Sequence, residues 1–150
     1  MRIMFDTNAF DKILNSKDDL ELITACGENE YYITSIQEEE LESIPDDYRR
    51  QALLSACRKV ALKTPTPAIV GFSIVGDCML TDADDVYFDL LLKTHNNVKD
   101  AMIGSAAKRE KCTVVTNDKR FTKRLKQYKI PTTEYEDFIE EIKLQSTLSD

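Results

Sequence analysis

Four acidic side chains, Asp6, Glu40, Asp100 and Asp118, are the groups with which this sequence could do chemistry. Asp6 closes the apolar run RIMF, and Glu40 lies within SIQEEELESI. Asp100 falls in the first turn of VKDAMIGSAAKRE, and Asp118 stands two residues past CTVVT. Carboxylates brought together repel one another, and the usual relief is a shared proton or a bound cation. An all-oxygen donor set, without nearby histidine or cysteine, favours hard cations such as Mg²⁺ or Mn²⁺ over zinc. Such an ion can polarise a phosphodiester and lower the pKa of a water that attacks phosphorus in line. Each acid also has an ordinary reading. Asp6 or Asp118 could cap a helix, Asp100 could face a helix dipole, and Glu40 could neighbour an Arg or Lys.

Glu40 is set apart from Glu38 and Glu39 by helical position. With Ser35 as N-cap, Glu38 falls three residues on, at capping-box spacing. Ile36, Glu40 and Ile44 then recur every four residues on one face, with Leu41 beside them, while Glu39 can point into water. A carboxylate on an apolar face costs roughly several kcal/mol unless something pairs with it. A cation is the partner this position asks for.

The elements that must position these acids alternate between strand and helix. RIMF reads as a strand, with Asn8 capping a helix from about Ala9 to Asn15. DDLELITAC reads as a helix ended by Gly27, and YYITS as a buried strand rich in β-branched and aromatic residues. The amphipathic run DDYRRQALLSACRKVALK turns Leu53, Leu54, Cys57 and Val60 inward, and TPTP, with Pro65 and Pro67, interrupts it as a loop. AIVGFSIVG is ambiguous between a strand and a buried helix, and LTDADDVYFDLLLK is helical again. In the helix from Val98 to Glu110, Gly104, Ala106 and Ala107 allow close approach to a sheet. CTVVTND then forms a strand ending near Thr116. KRFTKRLKQ is a basic helix, IPTTEY a last strand and EDFIEEIKLQ a terminal amphipathic helix, with STLSD fraying beyond it. Alternation of this kind indicates a parallel α/β sheet covered on both faces, with ligands gathering at the carboxyl ends of its strands. All four acids fall near that edge.

With 150 residues the chain fits one domain, residues 1–150, with one core. No run approaches the ~20 apolar residues of a membrane span, and MRIMFDTN places an aspartate where a signal peptide needs its apolar run. The expectation is a soluble, cytoplasmic protein. Cys26, Cys57, Cys78 and Cys112 are widely spaced without a CxxC pair and read as reduced thiols. A formal charge of −7 argues against a general nucleic-acid coat protein, but the charge is segregated. Residues 99–129 carry ten Lys or Arg against three acids, and the rest of the chain ten against 24. That is either a solvated basic face or a phosphate-binding patch on an acidic body. Within it Lys119, Arg120, Lys123 and Arg124 could hold an RNA backbone beside Asp118, without base specificity.

Taken together, FDTN around Asp6, TSIQEEEL around Glu40, VKDAMIGSAA around Asp100 and VVTND around Asp118 resemble the ordered acidic motifs of PIN-domain nucleases, specifically VapC-type toxin ribonucleases. The resemblance spans nearly the whole chain. It implies a three-layer α/β/α sandwich, Mg²⁺ or Mn²⁺ dependence, RNA cleavage leaving a 5′-phosphate and a 3′-hydroxyl, a frequent homodimer and a small antitoxin partner. It also implies that Asp6, Glu40, Asp100 and Asp118 bind metal while Asn8 and Thr116 orient them, a role metal sites generally require. Residues 62–80 and the overall acidity depart from the family picture and bear on substrate choice. His95, the one histidine, sits in a loop-like stretch and is not needed as a base beside a metal. The competing readings are a PIN-like module that binds RNA or protein without cutting, and a receiver or haloacid-dehalogenase type phosphoryl-transfer fold. The latter would want DxD where Asp6, Thr7 and Asn8 stand.

Overall fold

The computed structural model describes residues 1–60, 62–64, 66–67, 78–79 and 98–149. The AIVGFSIVG and LTDADDVYFDLLLK segments and His95 lie outside the described residues. The described elements are β1 (Arg2–Phe5), α1 (Thr7–Asn15), α2 (Lys17–Ala25), β2 (Glu30–Thr34), α3 (Ser35–Glu42) and α4 (Asp47–Val60). They continue with β3 (Leu62–Thr64), β4 (Thr66–Pro67), β5 (Cys78–Met79), α5 (Val98–Glu110), β6 (Thr113–Val115), α6 (Lys119–Gln127), β7 (Thr132–Thr133) and α7 (Tyr135–Ser149).

Among the described residues, five strands form one sheet in the order β3-β2-β1-β6-β7, and their pairings are parallel. β4 and β5 pair separately. From β1 the chain builds outward through β2 to β3, then returns to the other side of β1 with β6 and β7. β1 and β6 therefore flank the point where strand order reverses, where open α/β sheets form a crevice at their carboxyl ends.

Side chains alternate across the sheet, and both faces are buried. Ile3, Phe5, Tyr31, Ile33 and Val115 pack with α1, α2, α4 and α7. Phe5 stacks on Tyr31 with centroids 5.5 Å apart, and Phe138 meets Phe5 edge-on at 5.6 Å. Met4 and Val114 face the opposite way, onto Ala101, Met102, Ala106, Ala107, Phe121 and Leu125 of α5 and α6. The three-layer α/β/α sandwich expected from the sequence is what forms, and the buried Gly104, Ala106 and Ala107 let α5 lie close.

Five local expectations are corrected. The N-cap of α1 is Asp6, whose carboxylate accepts from the Thr7 N–H, so Asn8 lies inside the first turn; Asp6 is the one residue between β1 and the helix. α3 is capped by Thr34 with Gln37, one residue earlier than Ser35 with Glu38. The reason is burial. Gln37 donates from Nε2 to the Phe5 carbonyl at 2.5 Å, a bond only an inward amide can make. α4 stops at Val60, because Leu62–Thr64 joins the sheet beside β2, and Thr66–Pro67, expected as loop, pairs with Cys78–Met79. The last helix runs to Ser149 rather than fraying at Ser146. Cys26, Cys57 and Cys112 are free thiols, as expected. No helix among the described residues is long and apolar enough to cross a membrane.

Candidate active site

Asp6 sits at the carboxyl end of the central strand. Its Oδ1 accepts the Thr7 N–H at 2.7 Å, and its Oδ2 accepts the Thr116 hydroxyl at 2.9 Å. The backbone joins the same two strands, with the Asp6 N–H donating to the Val115 carbonyl at 3.0 Å. Burial pushes the Asp6 carboxyl above its ordinary range; the bonds from Thr116 and Thr7 oppose this, and the charges of Asp118 and Glu40 add to it.

Thr116, buried at the end of β6, connects two of the acids. While its hydroxyl donates to Asp6, its oxygen accepts the Asp118 N–H at 3.1 Å. Asp118 caps α6, with Oδ1 accepting from the Arg120 and Phe121 N–H groups at 2.9 and 3.0 Å. The ordinary cap reading of Asp6 and Asp118 is thus correct, and it fixes both carboxylates at the strand ends rather than removing them from the site.

Glu40 is brought in from α3, which α5 packs against. Its Oε2 accepts the Thr7 hydroxyl at 3.0 Å, and its Oε1 pairs with Lys99 Nζ at 2.8 Å. Glu40 is therefore a flank residue of α3, not a core one, and its expected Lys or Arg neighbour is real. Asp100 follows Lys99 in the first turn of α5 and is half-buried. Burial, then the charges of Asp6, Asp118 and Glu40 in that order, push its carboxyl up to about 6, with Arg124 opposing. The acids whose charges act on Asp100 come from positions as far as 94 residues away in sequence.

Among the described residues, no three His, Cys, Asp or Glu side chains are drawn together closely enough to hold a metal ion as they stand. The donor chemistry nonetheless suits a hard divalent cation: four like-charged carboxylates, of which Asp6 and Asp100 are partly desolvated, are relieved by a cation among them. The remaining expected residues fall around this edge. Asn8 is exposed and lines a small cleft with Asp6, Lys12, Thr116, Asn117 and Tyr135. Lys119, Arg120 and Lys123 are exposed along α6, and Arg124, half-buried, is the one whose charge reaches Asp100.

Three residues with a place here were missed in the sequence. Thr7 holds Glu40 through its hydroxyl and Asp6 through its N–H, and its signal was adjacency to Asp6 in DTN. Lys99 was counted only as part of the basic segment, though it directly precedes Asp100. A third residue, Asn117, accepts the Tyr135 N–H at 2.8 Å and donates to Glu136 Oε2 at 2.8 Å, tying α7 to the loop before Asp118.

A family model, that of the PIN domain, matches residues 3–126. No curated protein matches the sequence. Among solved structures, the chain resembles VapBC2 from Rickettsia felis, a structure bound to a DNA fragment from their promoter, with 19% identity and a TM-score of 0.56 over 89% of this chain and 98% of that one. It also resembles PAE2754 from Pyrobaculum aerophilum, with 12% identity and a TM-score of 0.58 over 96% and 99% of the two chains. A third likeness is to VapBC-1 from nontypeable Haemophilus influenzae, with 13% identity and a TM-score of 0.54 over 90% and 98%. At these identities the likenesses bear on the fold.

Proposed function

Because the chain belongs to the PIN domain family, we propose that it is a divalent-metal-dependent endoribonuclease that hydrolyses RNA phosphodiester bonds. The observation that carries the reading is the placement of Asp6 and Asp118 at the strand-order reversal of a parallel sheet, joined through Thr116, with Glu40 tied in through Thr7 and Asp100 in the first turn of α5. These four would hold Mg²⁺ or Mn²⁺. When bound, the cation supplies positive charge against the phosphodiester and makes a water easier to deprotonate.

The chain's own residues do the positioning. The Thr116 hydroxyl ties Asp6 to the Asp118 backbone, and Thr7 ties Asp6, through its N–H, to Glu40, through its hydroxyl. Asn8, in the first turn of α1, lines a small cleft together with Asp6 and Thr116. Lys119, Arg120 and Lys123 line α6 from the residue that follows Asp118, and would neutralise the RNA backbone as it approaches the acids.

In its cell this nuclease would be the toxin of a toxin–antitoxin pair in the cytoplasm, acting as a homodimer and held in check by a small antitoxin. The antitoxin partner draws support from the VapBC structures among those it resembles. A second reading, a PIN-like module that binds RNA or protein without cutting, is favoured by one observation, the occupation of Glu40 by Lys99.

The deciding experiment is incubation of purified protein with structured and single-stranded RNAs in Mn²⁺, Mg²⁺ or EDTA, with Asp100→Asn alongside. Cutting that needs metal and is lost in the variant supports the nuclease. No cutting, with metal still raising the melting temperature of the wild type but not of the variant, supports the binding module.

A further inference from the structure

We infer that Lys99 is a built-in counter-cation for Glu40 that a divalent ion must displace, so that this residue sets how tightly the acid cluster takes metal. The inference rests on the metal-binding role proposed for the four acids. Lys99 and Asp100 are consecutive in α5, so the turn that presents one acid to the cluster also delivers an ammonium to another. Lys99 Nζ lies 2.8 Å from Glu40 Oε1, and the Thr7 hydroxyl donates to Oε2 at 3.0 Å. Both oxygens of Glu40 are thus engaged by the protein, one of them by a positive charge.

The pair is built to exchange. The Lys99 and Glu40 side chains are 44% and 28% exposed, and ion pairs in contact with water are weak. A divalent ion carries twice the charge of an ammonium and is drawn by all four carboxylates, so it outcompetes the tethered lysine at sufficient concentration. Until then Lys99 offsets one negative charge among acids that have no other cation so close to Glu40 among the described residues. Lys99 is therefore a positioning residue, and it acts through Glu40.

The test is calorimetric titration of Mn²⁺ alone, without RNA, into wild type, Lys99→Gln, Glu40→Gln and the double variant. Lys99→Gln is expected to tighten Mn²⁺ binding about tenfold, the order expected on losing one nearby positive charge. In the Glu40→Gln background the same substitution should gain much less, because the partner through which it acts is gone. Lys99→Arg, which keeps the charge, should stay near wild type. Unchanged or weaker binding in Lys99→Gln, or an equal gain with and without Glu40, would overturn the inference while leaving the metal site intact. Absence of Mn²⁺ binding in all of these proteins would overturn the metal reading, and this inference with it.

Discussion

The Thr116 hydroxyl donates to Asp6 Oδ2 at 2.9 Å across 110 residues of sequence, joining the carboxyl ends of two adjacent parallel strands. The same oxygen accepts the Asp118 N–H, so one buried hydroxyl fixes the spacing of two acids. Thr116→Val keeps the β-branched shape and removes both bonds. A hydrogen bond to a charged group is worth about 1.5–3 kcal/mol, and a loss within that range is expected in urea unfolding at neutral pH. Mn²⁺ affinity should fall as well, since Asp6 is no longer held.

Asp100→Asn should abolish cleavage while leaving the metal-free protein as stable as wild type or more so at pH 7, because it removes one of four mutually repelling charges. Full activity in this variant, measured on the RNA panel, would sink the assignment of the site.

The pH dependence has a definite sign. The Asp100 carboxyl is raised from 3.8 to about 6 by burial first, so between those values the folded state holds a proton that the unfolded state has released. That contribution to stability is fully present below about pH 4 and is lost as pH rises through about 6. Metal-free wild type should therefore show a fall in melting temperature between pH 4 and 7 that is shallower in Asp100→Asn. Saturating Mn²⁺ should offset the fall at pH 7, and EDTA should restore it.

Gln37 is the buried residue that fastens the helix bearing Glu40 to the end of β1. Its amide donates to the Phe5 carbonyl, and its oxygen accepts the Thr34 N–H at 2.9 Å. Gln37→Leu is expected to destabilise the fold by about 2–4 kcal/mol, combining loss of the cap with buried groups left without their bonds. Chemical denaturation measures this, and a loss under about 0.5 kcal/mol, the size of a surface change, would contradict it.

Lys119→Ala and Lys123→Ala, both exposed on α6, should weaken RNA binding to a similar degree whatever the sequence. Each should also lessen the slope of log affinity against log salt by about 0.7–1. An unchanged salt slope in filter binding would place the RNA path elsewhere.

The placement of Asp6 and Asp118 at strand ends was legible in the sequence, because strand-to-helix transitions leave a local mark: an apolar run followed by Asp6, or by Thr116 and Asp118. Parallel order and burial on both faces were legible for the same reason, since period and β-branched content are local properties. Helix starts were displaced by one or two residues at Asp6 and Thr34. Whether Asp6 or Asn8, Thr34 or Ser35 caps a helix depends on where the strand is held by its neighbours. The strand at Leu62–Thr64 was hidden because only pairing with β2 makes three residues a strand. The partners of the acids lay furthest from reach: Thr116 for Asp6, Lys99 for Glu40, Gln37 for the Phe5 carbonyl. Sequence specifies residue types and local period, but hydrogen bonds and ion pairs act over a few ångströms between segments that only the packed sheet brings together.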